Sequence, residues 1–214
     1  MTPFQLSEEL LEQVIGDIAS ENDKALQTLF KEYHYADLAE IFDALQVEQA
    51  VYLFKLIDSE KTADMLTELD EDVRESILDA LSSEEIATEI NELDTDDAVD
   101  IVAELPVEIR KEVIDQISDT EHADDIRELL AYDENSAGGL MAKELVCVNQ
   151  NWTVTRCVRE MRIQAQEVTR VHSIYVIDNE NVLLGRLSLK DLLTAVSKSF
   201  KDNRPSNTFS LSMT

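Results

Sequence analysis

Four carboxylates fall within seven residues at Asp94, Asp96, Asp97 and Asp100, with no cation among them. A helix starting here explains most of them. Asp94 or Thr95 can cap it, because a side-chain oxygen accepts the free backbone N–H groups of a first turn. Asp96 and Asp97 then lie where the helix dipole favours negative charge. Asp100 has no such reason. Its i, i+4 spacing from Asp96 places the two Cβ atoms about 5–6 Å apart on one face, where like charges repel. Carboxylates held that way stay hydrated or share a cation. The chemistry on offer is therefore the binding of a hard cation by oxygen.

The elements that must hold this stretch repeat. Phe42, Leu66, Ile90 and Ile114 recur every 24 residues, as do Leu45, Leu69, Leu93 and Ile117. Ile57, Leu81, Leu105 and Leu129 keep the same interval half a repeat later, and Ala39, Ala63 and Ala87 follow it until Lys111 breaks the series. Each unit reads as two helices of about ten residues, and helices this short need tertiary packing. Stacked repeats of this kind form an α-superhelix, right- or left-handed. Ser82-x-x-Glu85 and Ser118-x-x-Glu121 have capping-box form. Asp70 and Asp94 fit N-caps, and Pro106 suits a first helical turn. Two further helices are expected upstream, over residues 7–19 and 22–33.

After Tyr132 the period is lost. Asp133–Ser136 is a polar break, and Ala137-Gly138-Gly139-Leu140-Met141 follows. Paired glycines permit positive φ or close backbone approach. No Lys-Ser/Thr follows, so this is no phosphate loop. Beyond it, strands are expected at 145–148, 174–178 and 182–188, with helices at 153–165 and 189–197. The order β-α-β-β-α describes a small α/β module. The expected division is an N-terminal helix (1–21), an acidic helical domain (22–132), a junction (133–144), the α/β module (145–198) and a disordered tail (199–214).

Charge separates the same parts. The chain has 46 acidic and 18 basic residues, net −28. Residues 133–214 hold 9 acids and 10 bases, which leaves 37 acids and 8 bases, net −29, for residues 1–132. Nucleic acid is excluded as a partner, since phosphate binding needs clustered Lys and Arg. Cations or a basic protein surface are favoured. Cys147 and Cys157 lack CxxC spacing and read as small buried groups. His34, His122 and His172 have no ligand spacing. No apolar run approaches the roughly 20 residues that span a bilayer, so this polypeptide is expected to be soluble. No nucleophile–base arrangement, HExxH or phosphate loop supports an enzyme.

The last module resembles a CBS domain in its Val146-Cys147-Val148 strand, Asn151-Trp152-Thr153-Val154, Ile174–Asp178, Leu184-Gly185 and Leu187–Leu193. The repeats, followed by Tyr132-x4-Ala137-Gly138-Gly139-Leu140-Met141, resemble the cytosolic part of MgtE-type magnesium channels. The resemblance implies a magnesium sensor at the cytoplasmic face of the membrane. In that family an acidic superhelix precedes two CBS domains and a transmembrane pore, and metal binding draws the domains together and closes the pore. It implies Mg²⁺ ligands at Asp64, Asp96 and Asp100, with the Gly139 carbonyl beside them. Mn²⁺ and Ca²⁺ also accept carboxylate oxygen. It matches Asp191 to the family's nucleotide-binding Asp, but Ser173 stands where the family stacks adenine on an aromatic ring, so weak nucleotide binding is expected. The chain ends where a second CBS domain would begin, and a single CBS module is expected to form a homodimer. The competing reading is a free-standing scaffold whose acidic superhelix grips a basic protein.

Overall fold

A computed structural model describes residues 4–166, 168, 171 and 173–194. The chain divides into two units, residues 1–141 and 142–214.

The first unit is helical. α1 (Glu8–Ala19) and α2 (Asp23–Lys31) precede four helix pairs: α3 (Tyr35–Asp43) and α4 (Val47–Phe54), α5 (Ser59–Glu68) and α6 (Glu71–Asp79), α7 (Ser83–Ile90) and α8 (Thr95–Glu104), α9 (Val107–Gln116) and α10 (Thr120–Leu129). The first helices of the pairs begin at 35, 59, 83 and 107, so the 24-residue sequence period is the structural period. Like packs on like: α3 on α5, α5 on α7 and α7 on α9, with α4 on α6 and α8 on α10. Phe42, Leu66 and Ile90 are fully buried, and Ile114 nearly so. They form one continuous core with Leu45, Leu69, Leu93 and Ile117.

Side-chain caps fix some helix starts, as at Ser7, His34 and Ser82, whereas Asp70 and Asp94 hold the expected N-cap positions without a side-chain cap hydrogen bond. Ser82 and Glu85 form the expected capping box, the Ser82 N–H donating to Glu85 Oε2 at 2.8 Å. Ser118 does not cap α10; Asp119 does, accepting from the Glu121 and His122 N–H groups at 2.9 and 3.2 Å. The Ser118 hydroxyl instead donates to Asn91 Oδ1 at 3.0 Å, tying the loop to the preceding repeat. Pro106 stands at the N-cap of α9, just outside its first turn.

The second unit has β1 (Val146–Asn149), α11 (Val154–Gln164), β2 (Ile174–Ile177) and β3 (Leu183–Leu187), and residues 189–194 are helical. The sheet order is β1-β2-β3, with β1 and β2 parallel across α11 and β2 and β3 antiparallel. The β2–β3 turn needs a left-handed residue, supplied by Asn181 at φ 61°. Val146, Val148, Cys157, Ile174, Val176 and Leu192 are buried in a separate core. Cys147 and Cys157 are free thiols. His172, residues 195–197 of the expected last helix and the expected disordered tail lie outside the described residues.

Candidate functional site

Helix α8 places the acidic stretch. Asp94 is its N-cap, and Thr95 begins it with a buried side chain. Helical spacing then sends Ala98, Val99, Ile101 and Val102 into the core and leaves Asp96, Asp97 and Asp100 outside it. A groove of about 660 Å³ runs along this part of the first unit. Its acidic lining is Glu71, Asp97, Asp100, Glu104 and Glu134, and Gly139 lies in its wall. Of the four residues expected to hold metal, the groove thus collects Asp100 and Gly139. Asp64 and Asp96 stand outside the lining but act on it electrostatically.

The Asp97 carboxyl is pushed up to about 6, by partial desolvation first and then by Asp96, Asp94, Asp100 and Asp64. Asp100 is raised by the same desolvation, then by Asp96, Glu134 and Glu104, while Arg74 pulls it down. Both side chains remain open to solvent. Their desolvation is that of a concave wall, not of a core, and the repulsion between neighbouring carboxylates is what a bound cation would relieve.

By position in the sequence, Asp97 belongs to the first turn of a helix and Glu134 to a polar loop. The missed signal is the i, i+3 spacing of Asp97 and Asp100, which makes them neighbours on a helix as surely as i, i+4.

The glycines act through close approach. Among the described residues no glycine has positive φ. A Cβ on Gly139 would lie 2.3 Å from the Asp133 carbonyl oxygen, and one on Gly138 would lie 2.5 Å from the Tyr132 ring. The Gly139 N–H donates to Ser136 Oγ at 3.1 Å. The loop therefore folds back on the end of α10 and brings Glu134 and Gly139 to the groove.

Hard oxygen donors suit Mg²⁺, Mn²⁺ or Ca²⁺. Yet among the described residues no three Asp, Glu, His or Cys side chains converge as a metal cage. Mg²⁺, where a protein binds it, keeps much of its water and takes one or two carboxylates. His34 caps α3, its Nδ1 accepting from the Ala36 N–H at 3.3 Å. His122 Nε2 lies 3.1 Å from the Ile90 carbonyl oxygen.

In the second unit Asp191 is engaged locally. Ser188 Oγ donates to Asp191 Oδ2 at 2.7 Å and accepts from the Asp191 N–H at 3.1 Å. This is a helix-start box, so any nucleotide contact by Asp191 would compete with it.

The family described as the MgtE intracellular N domain matches residues 33–135, and the CBS domain family matches residues 137–198. The magnesium transporter MgtE of Thermus thermophilus is 32% identical over 191 residues, which span 88% of this chain. This chain is a homologue of MgtE. The MgtE of Enterococcus faecalis is 37% identical over 65 residues. The matches cover 42% and 14% of these two MgtE relatives, so the chain spans less than half of either. Two solved structures share the fold. The soluble part of a magnesium transporter superposes with TM-score 0.75 at 26% identity, covering 87% of this chain and 73% of its own. The cytosolic domain of the Mg²⁺ channel MgtE in complex with ATP gives 0.77 at 28% identity, covering 86% and 75%. Among the described residues no helix is long and apolar enough to cross a membrane.

Proposed function

We propose that this chain is the Mg²⁺-sensing regulatory region of a magnesium transporter or channel, held at the cytoplasmic face of the membrane. One observation carries the reading: Asp97, Asp100 and Glu134 line a single groove with Gly139, and neighbouring carboxylates raise the proton affinity of Asp97 and Asp100. Bound Mg²⁺ would supply a divalent counter-charge that retains most of its own water. Asp97 and Asp100 would hold the ion, with Glu134 and the Gly139 carbonyl beside them. Asp96 and Asp64, which with Asp100 are the ligands that the family resemblance implies, would deepen the negative potential. Neutralisation would stiffen the superhelix and draw the domains together, closing a pore supplied by the rest of the parent protein, with its second CBS domain. Catalysis has no part in this function.

The solved MgtE neighbour in complex with ATP makes the nucleotide a second ligand to test. Ser173 offers no stacking ring and Asp191 is bound to Ser188, which favours weak binding. Tight ATP binding in calorimetry, lost in Asp191→Ala, would overturn that part.

The test of the metal reading is a Mg²⁺ titration of the intact chain against NaCl at matched ionic strength. Mg²⁺ in the millimolar range should raise the melting temperature beyond the NaCl effect by binding linkage. Asp97→Asn/Asp100→Asn should blunt that excess, and Asp96→Asn/Asp100→Asn should do the same. Responses equal to the parent's in both variants would refute the assignment of the groove.

A further inference from the structure

The groove already contains a cation. Arg74, on α6, is largely buried, with its side chain 15% exposed. Its Nε and Nη2 donate to the two carboxylate oxygens of Glu104, at 2.9 and 2.6 Å. Its Nη1 donates to the Leu66 and Leu69 carbonyls at the end of α5, at 3.3 and 3.0 Å. All three guanidinium nitrogens are thus fixed. Arg74 and Asp100 act on each other electrostatically, each favouring the other's charged form. Arg110 also lines the groove, but its Nη2 is spent on the Ala103 and Leu105 carbonyls, at 2.7 and 3.1 Å.

A guanidinium pinned on three sides cannot leave when a metal arrives. It stays as a permanent positive charge beside the carboxylates the metal would use. We infer that Arg74 is a built-in competitor of the divalent ion: by occupying Glu104 and standing in the same groove as Asp97 and Asp100 it sets how much cation the groove requires before it responds. The inference rests on the metal reading of the groove and adds what tunes it. It also gives Glu104 a role, as the carboxylate withheld from metal because its fork is filled. An acidic array without such a charge would saturate at lower concentrations and lose its sensing range.

The experiment is a Mg²⁺ titration of the intact 214-residue chain at constant ionic strength, read by NMR at the Gly139 backbone amide. Arg74→Gln removes the charge, and the midpoint should fall by about three- to tenfold, as expected for one unit charge a short way from a divalent ion in screened solvent. Arg74→Lys keeps the charge but not the fork, so its midpoint should stay within about twofold of the parent's. Both variants should melt lower without metal, since both lose the clasp on α5. An unchanged or raised midpoint in Arg74→Gln makes Arg74 a staple only and overturns the inference. Should Arg74→Gln alone not fold, Glu104→Gln and the double variant Arg74→Gln/Glu104→Gln decide. The single change should raise the midpoint, and the double, an amide pair with the parent's net charge, should bring it back. Equal midpoints in those two would also refute it. A parent that shows no saturable Mg²⁺ shift at Gly139 defeats the metal reading itself, whereas a normal parent shift with no effect of Arg74 defeats this inference alone.

Discussion

Glu89 is a carboxyl between stacked helices. It is 8% exposed on α7, and its Oε2 accepts from the hydroxyl of the fully buried Thr62 on α5 at 2.7 Å. Burial pushes it up to about 7, the Thr62 hydroxyl draws it back, and Glu92 adds repulsion. The folded state therefore holds a proton that the unfolded state releases, between an ordinary carboxyl value of 4.5 and about 7. Stability must fall as pH rises through that window. Glu89→Gln should match the parent near the acid end and exceed it at pH 8 by about 1–3 kcal/mol in urea unfolding. A variant less stable at both ends would mean that the ionised form is the one the fold selects. Asp97 has the same sign over a lower window, from 3.8 to about 6. It is open to solvent, so the gain from Asp97→Asn at neutral pH should be only about 0.5–1 kcal/mol. A loss of stability in metal-free buffer would place Asp97 among the helix caps.

Short helices leave many unsatisfied carbonyls, and this chain closes them with its few cations. Lys61 Nζ, on α5, donates to the Phe30, Lys31 and Tyr33 carbonyls at the end of α2, at 2.9, 3.2 and 2.8 Å. Arg74 does this for α5, Arg110 for α8, and His122 meets the end of α7. Each tie links one helix to the end of an earlier one, so it serves packing as well as the helix dipole. Lys61→Met should cost about 2 kcal/mol, the loss expected when hydrogen bonds to a charged group disappear. Lys55→Met removes an exposed pair with Glu85, whose side chains are 44% and 43% exposed, and should cost less than about 1 kcal/mol. Thermal melts of the two variants side by side test the contrast. A larger loss from Lys55 would show that charge and not capping governs these helices.

Across the whole molecule the acidic charge is concentrated where the superhelix lies, net −29 in residues 1–132 against +1 in residues 133–214. Self-repulsion of that size weakens the folded state at low ionic strength. Raising NaCl from 10 to 300 mM, that is by about one order of magnitude or more in ionic strength, should raise the melting temperature of the first unit by screening. Among the described residues, the core of that unit draws on residues up to Met141. A fragment ending there should melt cooperatively, and a non-cooperative melt would mean the first unit needs the second. In the second unit Ile163, Val182, Leu183 and Leu193 remain exposed. Self-association through this unit is the expected outcome, and a strict monomer at high micromolar concentration in sedimentation would count against it.

Periodicity carries the fold in this sequence. Apolar residues at a 24-residue interval define which faces must meet, and stacking like helices is the way to bury them all. The β-α-β-β-α order was equally legible, because alternating Val and Ile with Asn-Glu-Asn between them specify strands and a turn. Local chemistry also announced the start of α8 and the Ser82 box. The sequence could not show which carboxylates share a groove. Asp97, Asp100, Glu134 and Gly139 come together only because the glycine loop folds back on α10 and α10 packs on α8. Asp119 displaced Ser118 as a cap because Asn91, 27 residues earlier, claims the Ser118 hydroxyl. Arg74 reaches Glu104 across 30 residues. Helical spacing is a local property and can be read from the chain. Electrostatic neighbourhood depends on which surfaces the packing brings together, and that was decided by the tertiary structure.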